Sequence, residues 1–116
     1  MPTLHEVSGP TPYGFREVPA RQAHESLEGV RLIDVREPSE FSDQLGHIPG
    51  AELVPLATIP QVAPTWDREN TYLIICRSGG RSSNAAMWMA NQGFTSVFNL
   101  SGGMMGWNQA GLPVER

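Results

Sequence analysis

The sequence predicts an α/β domain built on a central, largely parallel sheet. Strand-like and helix-like segments alternate from Phe15 to the C-terminus. Leu73-Ile74-Ile75 is apolar at consecutive positions, the pattern of a strand covered on both faces. The chain of 116 residues suits one domain, large enough to bury roughly two-thirds of the surface its unfolded form exposes.

Residues 1–14, rich in Pro, Gly and Thr without a clear period, predict a loosely ordered N-terminal arm before a domain over 15–116. Phe15 to Val18 predicts a short strand. Pro19 suits the first turn of a helix that carries Ala20, Ala23 and Leu27 on one face and stops at Gly29. Val30 to Val35 is the second strand, and Glu37 to Phe41 has the form of a helix start. Gly46-His47-Ile48-Pro49-Gly50 is a turn before a third strand at Ala51 to Val54. Leu56 to Ala63 predicts a short helix limited by Pro60 and Pro64. The fourth strand, Thr71 to Cys76, leads into a helix from Ser82 to Gln92, stopped by Gly93. Ser96 to Asn99 is the fifth strand, and Gly102 to Ala110 the last helix. There are no internal repeats.

Charge is distributed unevenly. The formal net charge is −4, which gives no general attraction for nucleic acid. Between Asn70 and Val114 there is no Asp or Glu, and the only charged residues are Arg77 and Arg81. Composition drift in an apolar half of the chain would also produce this. The Gly79-Gly80 turn beside the arginines favours instead a small positive site for an anionic substrate. The chain has no lysine, which excludes Schiff-base chemistry and a P-loop lysine.

A lone cysteine forms no internal disulfide and supplies no Cys-rich metal site. The N-terminus has neither basic residues nor an apolar core, so no signal peptide is expected. No apolar run approaches membrane-spanning length. The expectation is a cytoplasmic protein, with its thiol reduced and no membrane association.

That cysteine opens Cys76-Arg77-Ser78-Gly79-Gly80-Arg81-Ser82, at a predicted strand end and before a predicted helix. Successive N–H groups of so short a loop can converge on one atom as an anion nest. The helix N-terminus and two guanidiniums add positive potential, so each contribution favours the thiolate. The bland alternative is an inert buried cysteine at a strand end. In an open parallel sheet, ligands bind outside the carboxyl ends of the strands. Asp34 and Arg36 end the neighbouring predicted strand and are expected to face the same crevice.

Over about Val18 to Val114 the chain resembles the rhodanese homology family. Three stretches carry the resemblance: Leu32 to Pro38 with Gly46 to Ala51; the Cys76–Ser82 loop; and Leu100-Ser101-Gly102-Gly103 through Trp107 to Gly111-Leu112-Pro113. The resemblance implies a three-layer α/β fold with a mostly parallel five-stranded sheet between helices. It also implies a thiosulfate sulfurtransferase activity, with Cys76 as nucleophile and persulfide carrier. Arg77, Ser78, Gly79, Gly80, Arg81 and Ser82 would form the substrate loop, with Asp34 and Arg36 in support. Arg77 and Arg81 would attract a dianionic donor, and Arg81 would brace the loop through a carboxylate such as Asp34. Expected partners are a thiosulfate-like donor and a cyanide, thiol or protein acceptor; no metal or organic cofactor is implied. The segment Phe41 to Leu45 is longer than the family's usual spacing.

Two alternatives remain at this stage. A persulfide carrier, sensor or interaction module on the same fold would use the same residues with a different partner. A Cys-based phosphatase or arsenate reductase resembles Cys-X5-Arg, whereas here the sixth residue after Cys76 is Ser82. His5, His24 and His47 lack metal-ligand spacing. His47 is expected to make a structural hydrogen bond and His24 to be a surface residue, while Trp66, Met87, Trp88, Met89 and Trp107 read as packing residues.

Overall fold

Residues 2–116 are described by a computed structural model. The expected mostly parallel α/β sheet is present, but with six strands and not five, in the order β1-β2-β6-β5-β3-β4. Five run parallel: β2 (Arg16–Pro19), β3 (Val30–Asp34), β4 (Glu52–Leu53), β5 (Thr71–Ile75) and β6 (Ser96–Ser101). The sixth, β1 (Gly9–Pro10), lies antiparallel to β2 and comes from the segment whose composition suggested a loose arm.

That segment is docked. Helix α1 (Leu4–Val7) is closed by a capping box between Thr3 and Glu6, and Leu4 is buried. Arg16 donates from Nε to Ser8 Oγ and from Nη2 to the Ser8 carbonyl, both at 2.8 Å. A four-residue helix and a two-residue strand are too short to show a period, so composition alone misled here.

Two hydrophobic clusters, one on each face of the sheet, make the three layers. On one face Tyr72, Ile74 and Ile33 pack against Ile59 of α4 (Ile59–Val62) and Ala85, Ala86 and Met89 of α5 (Gly80–Asn91). On the other, Leu73, Ile75, Val18 and Leu100 meet Leu4, Ala20 and Ala23 of α2 (Ala20–His24), and Met104 and Trp107 of α6 (Gly103–Gln109). Leu73, Ile74 and Ile75 are fully buried, as the unbroken apolar run requires. Each such side chain contributes about 1.5–3 kcal/mol through burial.

Local departures have local causes. The α2 helix stops at His24, short of Leu27, because Ser26 folds back: its N–H meets the Ala23 carbonyl and its Oγ the Gln22 carbonyl. The segment expected as one helix over 56–63 breaks into a 3-10 turn (Leu56–Thr58), α4 and a second 3-10 turn (Ala63–Thr65). Pro60 and Pro64, each in a first turn, lack the N–H a continuous helix needs. Met87 is exposed and Trp66 and Trp88 half-buried; Met89 and Trp107 are buried as expected. Trp66 stacks on Tyr72, so it still packs.

His24 is exposed, its ring edge-on to Trp107. His47 has the expected structural role. Its Nδ1 donates to the Phe41 carbonyl at 2.8 Å, its ring stacks on Phe41, and its backbone pairs with Glu115. These contacts anchor the long 41–45 segment beside α3 (Pro38–Phe41).

Candidate active site

Strand β5 ends at Ile75, and Cys76 lies immediately beyond it at the carboxyl end of the sheet. The chain turns at Gly79, whose φ of +113° only glycine adopts without strain, and α5 begins at Gly80. The helix therefore starts earlier than the predicted Ser82.

Cys76 Sγ accepts a hydrogen bond from Gly79 N–H at 3.0 Å and from Ser82 Oγ at 3.2 Å. Burial pushes the thiol pKa up. Hydrogen bonds from the Ser82 hydroxyl and from the backbone N–H groups of Ser82, Gly79 and Ser78 outweigh it, and the net shift is downward. The loop stabilises a thiolate.

The loop is also held from behind. Met104 N–H and Met105 N–H, in the first turn of α6, donate to the carbonyls of Cys76 and Arg77 at 2.8 and 3.0 Å. With these carbonyls tied back, the loop's donors are left to face the sulfur. So close an approach depends on Gly103, where a Cβ would overlap the Cys76 carbonyl oxygen and the Arg77 backbone.

The two loop arginines differ. Arg77 is exposed and makes no ion pair among the described residues. Arg81 forms a two-pronged pair with Glu40 of α3, at 2.7 and 2.8 Å. Glu40 raises the Arg81 pKa, and Arg81 in turn holds the Glu40 carboxyl down at about 2. The carboxylate bracing Arg81 is thus Glu40 and not Asp34, because Asp34 is already taken. Asp34 accepts from Arg36 Nε and Nη2 in a fully buried pair, and Arg36 Nη2 also reaches the Gly46 carbonyl at 2.7 Å. Neither side chain hydrogen-bonds to the 76–82 loop; they tie the end of β3 to the turn at Gly46.

The rhodanese-like domain family model matches residues 19–110, most of the chain. The chain belongs to the rhodanese-like family. Among relatives of this rhodanese-like chain, the putative sulfurtransferase YtwF of Bacillus subtilis is 43% identical over 83 residues, covering 72% of this chain and 78% of the relative. The thiosulfate sulfurtransferase GlpE of Stutzerimonas stutzeri is 32% identical, covering 80% and 84%. Among solved structures, a rhodanese-related protein from Thermoplasma volcanium superposes with a TM-score of 0.77 at 26% identity, over 85% of this chain and 96% of that one.

Sequence reasoning brought together Cys76 and its loop but missed Glu40, Gly103, Glu17 and Asn99. Glu40 carried a signal, since it is the acidic residue of a helix start whose capping box aims it back toward Glu37 N–H. Among the described residues no cluster of His, Cys, Asp and Glu could hold a metal, and no helix is long and apolar enough to cross a membrane.

Proposed function

We propose that this rhodanese-like domain is a sulfurtransferase that moves a sulfane sulfur through a Cys76 persulfide. The observation that carries the reading is the set of donors converging on Cys76 Sγ, which holds an anionic sulfur ready to attack. The names of the relatives support the activity class, and GlpE supports thiosulfate as donor.

In the first step, Cys76 thiolate attacks the outer sulfur of thiosulfate. The Sγ–S bond forms, the S–S bond to the sulfonate breaks, and sulfite leaves with the bonding electron pair. No proton moves, and the negative charge passes to the terminal sulfur, within reach of the same N–H groups. In the second step cyanide or a thiolate attacks that sulfur, and Cys76 leaves as thiolate. Arg77 draws the dianionic donor in, while Arg81 braces the loop through Glu40. The chemistry needs no metal or organic cofactor and a thiol kept reduced, as in the cytoplasm.

Intact mass spectrometry after thiosulfate treatment tests this. The expected result is a gain of one sulfur atom, reversed by cyanide and absent in Cys76→Ser. An unmodified wild-type chain would exclude thiosulfate as donor, and turnover retained in Cys76→Ser would remove Cys76 from the mechanism.

A further inference from the structure

The Ser82 hydroxyl has one proton and two acceptors. Its Oγ lies 3.2 Å from Cys76 Sγ and also 3.2 Å from the Gly79 carbonyl oxygen. Whether that proton serves the sulfur depends on what else serves Gly79.

A carbonyl oxygen has two lone pairs. Ser83 N–H, 3.1 Å away, occupies one as the first bond of α5. The other is open either to Ser82 Oγ or to Asn99 Nδ2 on β6, which lies 3.3 Å away. When Asn99 takes it, Gly79 is satisfied and the Ser82 proton is free to turn to the sulfur. Without Asn99, the carbonyl competes with the sulfur for that proton.

Asn99 is buried, and its amide is oriented chiefly by the Glu17 carboxylate and the Gly79 carbonyl, which can only accept. Nδ2 has two protons, one for the Glu17 carboxylate, whose oxygens lie at 3.1 and 2.9 Å, and one shared between the Gly79 carbonyl and Ser83 Oγ at 2.9 Å, whereas Oδ1 has no partner. Glu17 and Asn99 are direct neighbours across β2 and β6, and Ser101 Oγ donates to the same carboxylate at 2.7 Å. Turned over, the amide would press Oδ1 against a carboxylate and a carbonyl. Glu17 therefore determines which end of the amide meets Gly79.

We propose that Asn99, oriented by Glu17, is a positioning residue that satisfies the Gly79 carbonyl and so commits the Ser82 proton to Cys76. The proposal deepens the sulfurtransferase reading and rests on Cys76 acting as a thiolate. Asn99 and Glu17 act through Ser82 and do not touch the reacting sulfur.

The test is the thiolate titration of the full chain, followed by ultraviolet absorbance with Cys76→Ser as blank; the single cysteine makes the signal unambiguous. Asn99→Ala and Glu17→Ala should move the midpoint up and cause a several-fold loss of thiolate at neutral pH, while Glu17→Gln, which keeps an acceptor oxygen, should not. The sign is diagnostic, because removing a nearby negative charge alone would move the midpoint down. In a Ser82→Ala background, either alanine variant should add little. Midpoints of Asn99→Ala and Glu17→Ala that stay put or move down, a Glu17→Gln midpoint that rises with them, or shifts that add fully to that of Ser82→Ala, would overturn the proposal. Should Asn99→Ala fail to fold, the Glu17 and Ser82 variants complete the same cycle. A wild-type chain that takes no sulfur from thiosulfate would defeat that donor assignment and leave this titration intact.

Discussion

Arg81 donates both terminal nitrogens of its guanidinium to the carboxylate of Glu40, at 2.7 and 2.8 Å. This pair ties the first turn of α5 to the helix after β3, joining two loops at the carboxyl end of the sheet. It also divides the work between the arginines. The charge of Arg81 is largely compensated by Glu40, which leaves Arg77 as the exposed loop cation without an ion pair among the described residues.

Replacing Glu40 by Gln therefore loses an ion pair but little volume. The side chains of Arg81 and Glu40 keep 37% and 23% of their exposure, so solvent screening holds the loss to about 0.5–1 kcal/mol, or roughly 2–4 °C in melting temperature. The Glu40 pKa is lowered from 4.5 to about 2, chiefly by the Arg81 hydrogen bonds. A carboxyl depressed on folding stabilises the protein above its unfolded pKa and stops doing so as pH falls through the folded value. The gap between wild type and Glu40→Gln should be full at pH 7 and close between pH 4.5 and about 2. Thermal melts across that range check it; a constant gap would contradict the assignment.

Arg77→Ala is expected to raise KM for thiosulfate about fivefold, the effect of losing about 1 kcal/mol from one exposed charge, with kcat nearly unchanged. The effect should shrink as salt rises, because exposed charges are screened beyond about 8 Å at physiological ionic strength. Steady-state assays at two salt concentrations measure both. A fall in kcat with KM unchanged would place Arg77 in the chemical step instead.

What was legible in the sequence was what is contiguous in it. The Cys76–Ser82 loop, the apolar β5 strand and the glycine turn are short-range features, and chain order alone places a thiol beside a helix N-terminus. Glu40 stands 41 residues from Arg81, and Glu17 stands 82 from Asn99. These contacts depend on which strands are neighbours and on which face each residue lies. Asp34 illustrates the limit: its strand end was placed correctly, but its carboxylate was already committed to Arg36. The N-terminal segment failed for another reason, since docking through Leu4 and Ser8 uses elements too short for periodicity.

Ser82→Ala removes a hydrogen-bond donor to Cys76 Sγ without touching the backbone N–H groups. Burial opposes the thiolate and hydrogen bonds, first that of the Ser82 hydroxyl, restore it, so the variant should carry a higher thiol pKa. Losing one hydrogen bond to a charged group predicts about a tenfold drop in kcat/KM at neutral pH. Activity should recover as pH rises and the thiolate fraction returns. A pH–rate profile parallel to wild type at every pH would show that Ser82 acts otherwise.

Gly103→Ala should disable the loop from behind. The new Cβ would overlap the backbone of Cys76 and Arg77, at a φ of +55°. Overpacking and the left-handed backbone together predict about 2–4 kcal/mol of destabilisation. Gly29→Ala is the control, with a φ of +76° but open space around it, and should cost about 1 kcal/mol. Denaturant unfolding compares the two, and equal costs would mean that the contact with α6 does not constrain the loop.

Leu4→Ala distinguishes a docked N-terminal segment from a loose one. Leu4 is 2% exposed and belongs to the cluster that includes Val18, Ala23 and Trp107. Truncation leaves a cavity in this cluster, so about 2–3 kcal/mol of stability should be lost. A loose arm would lose less than about 0.5 kcal/mol, the ordinary effect of a surface substitution. Because this cluster lies across the sheet from Ile74 and α5, the thiolate titration of Cys76 should stay unchanged while stability falls. A shift in that titration would mean that the N-terminal segment supports the reactive loop as well as the core.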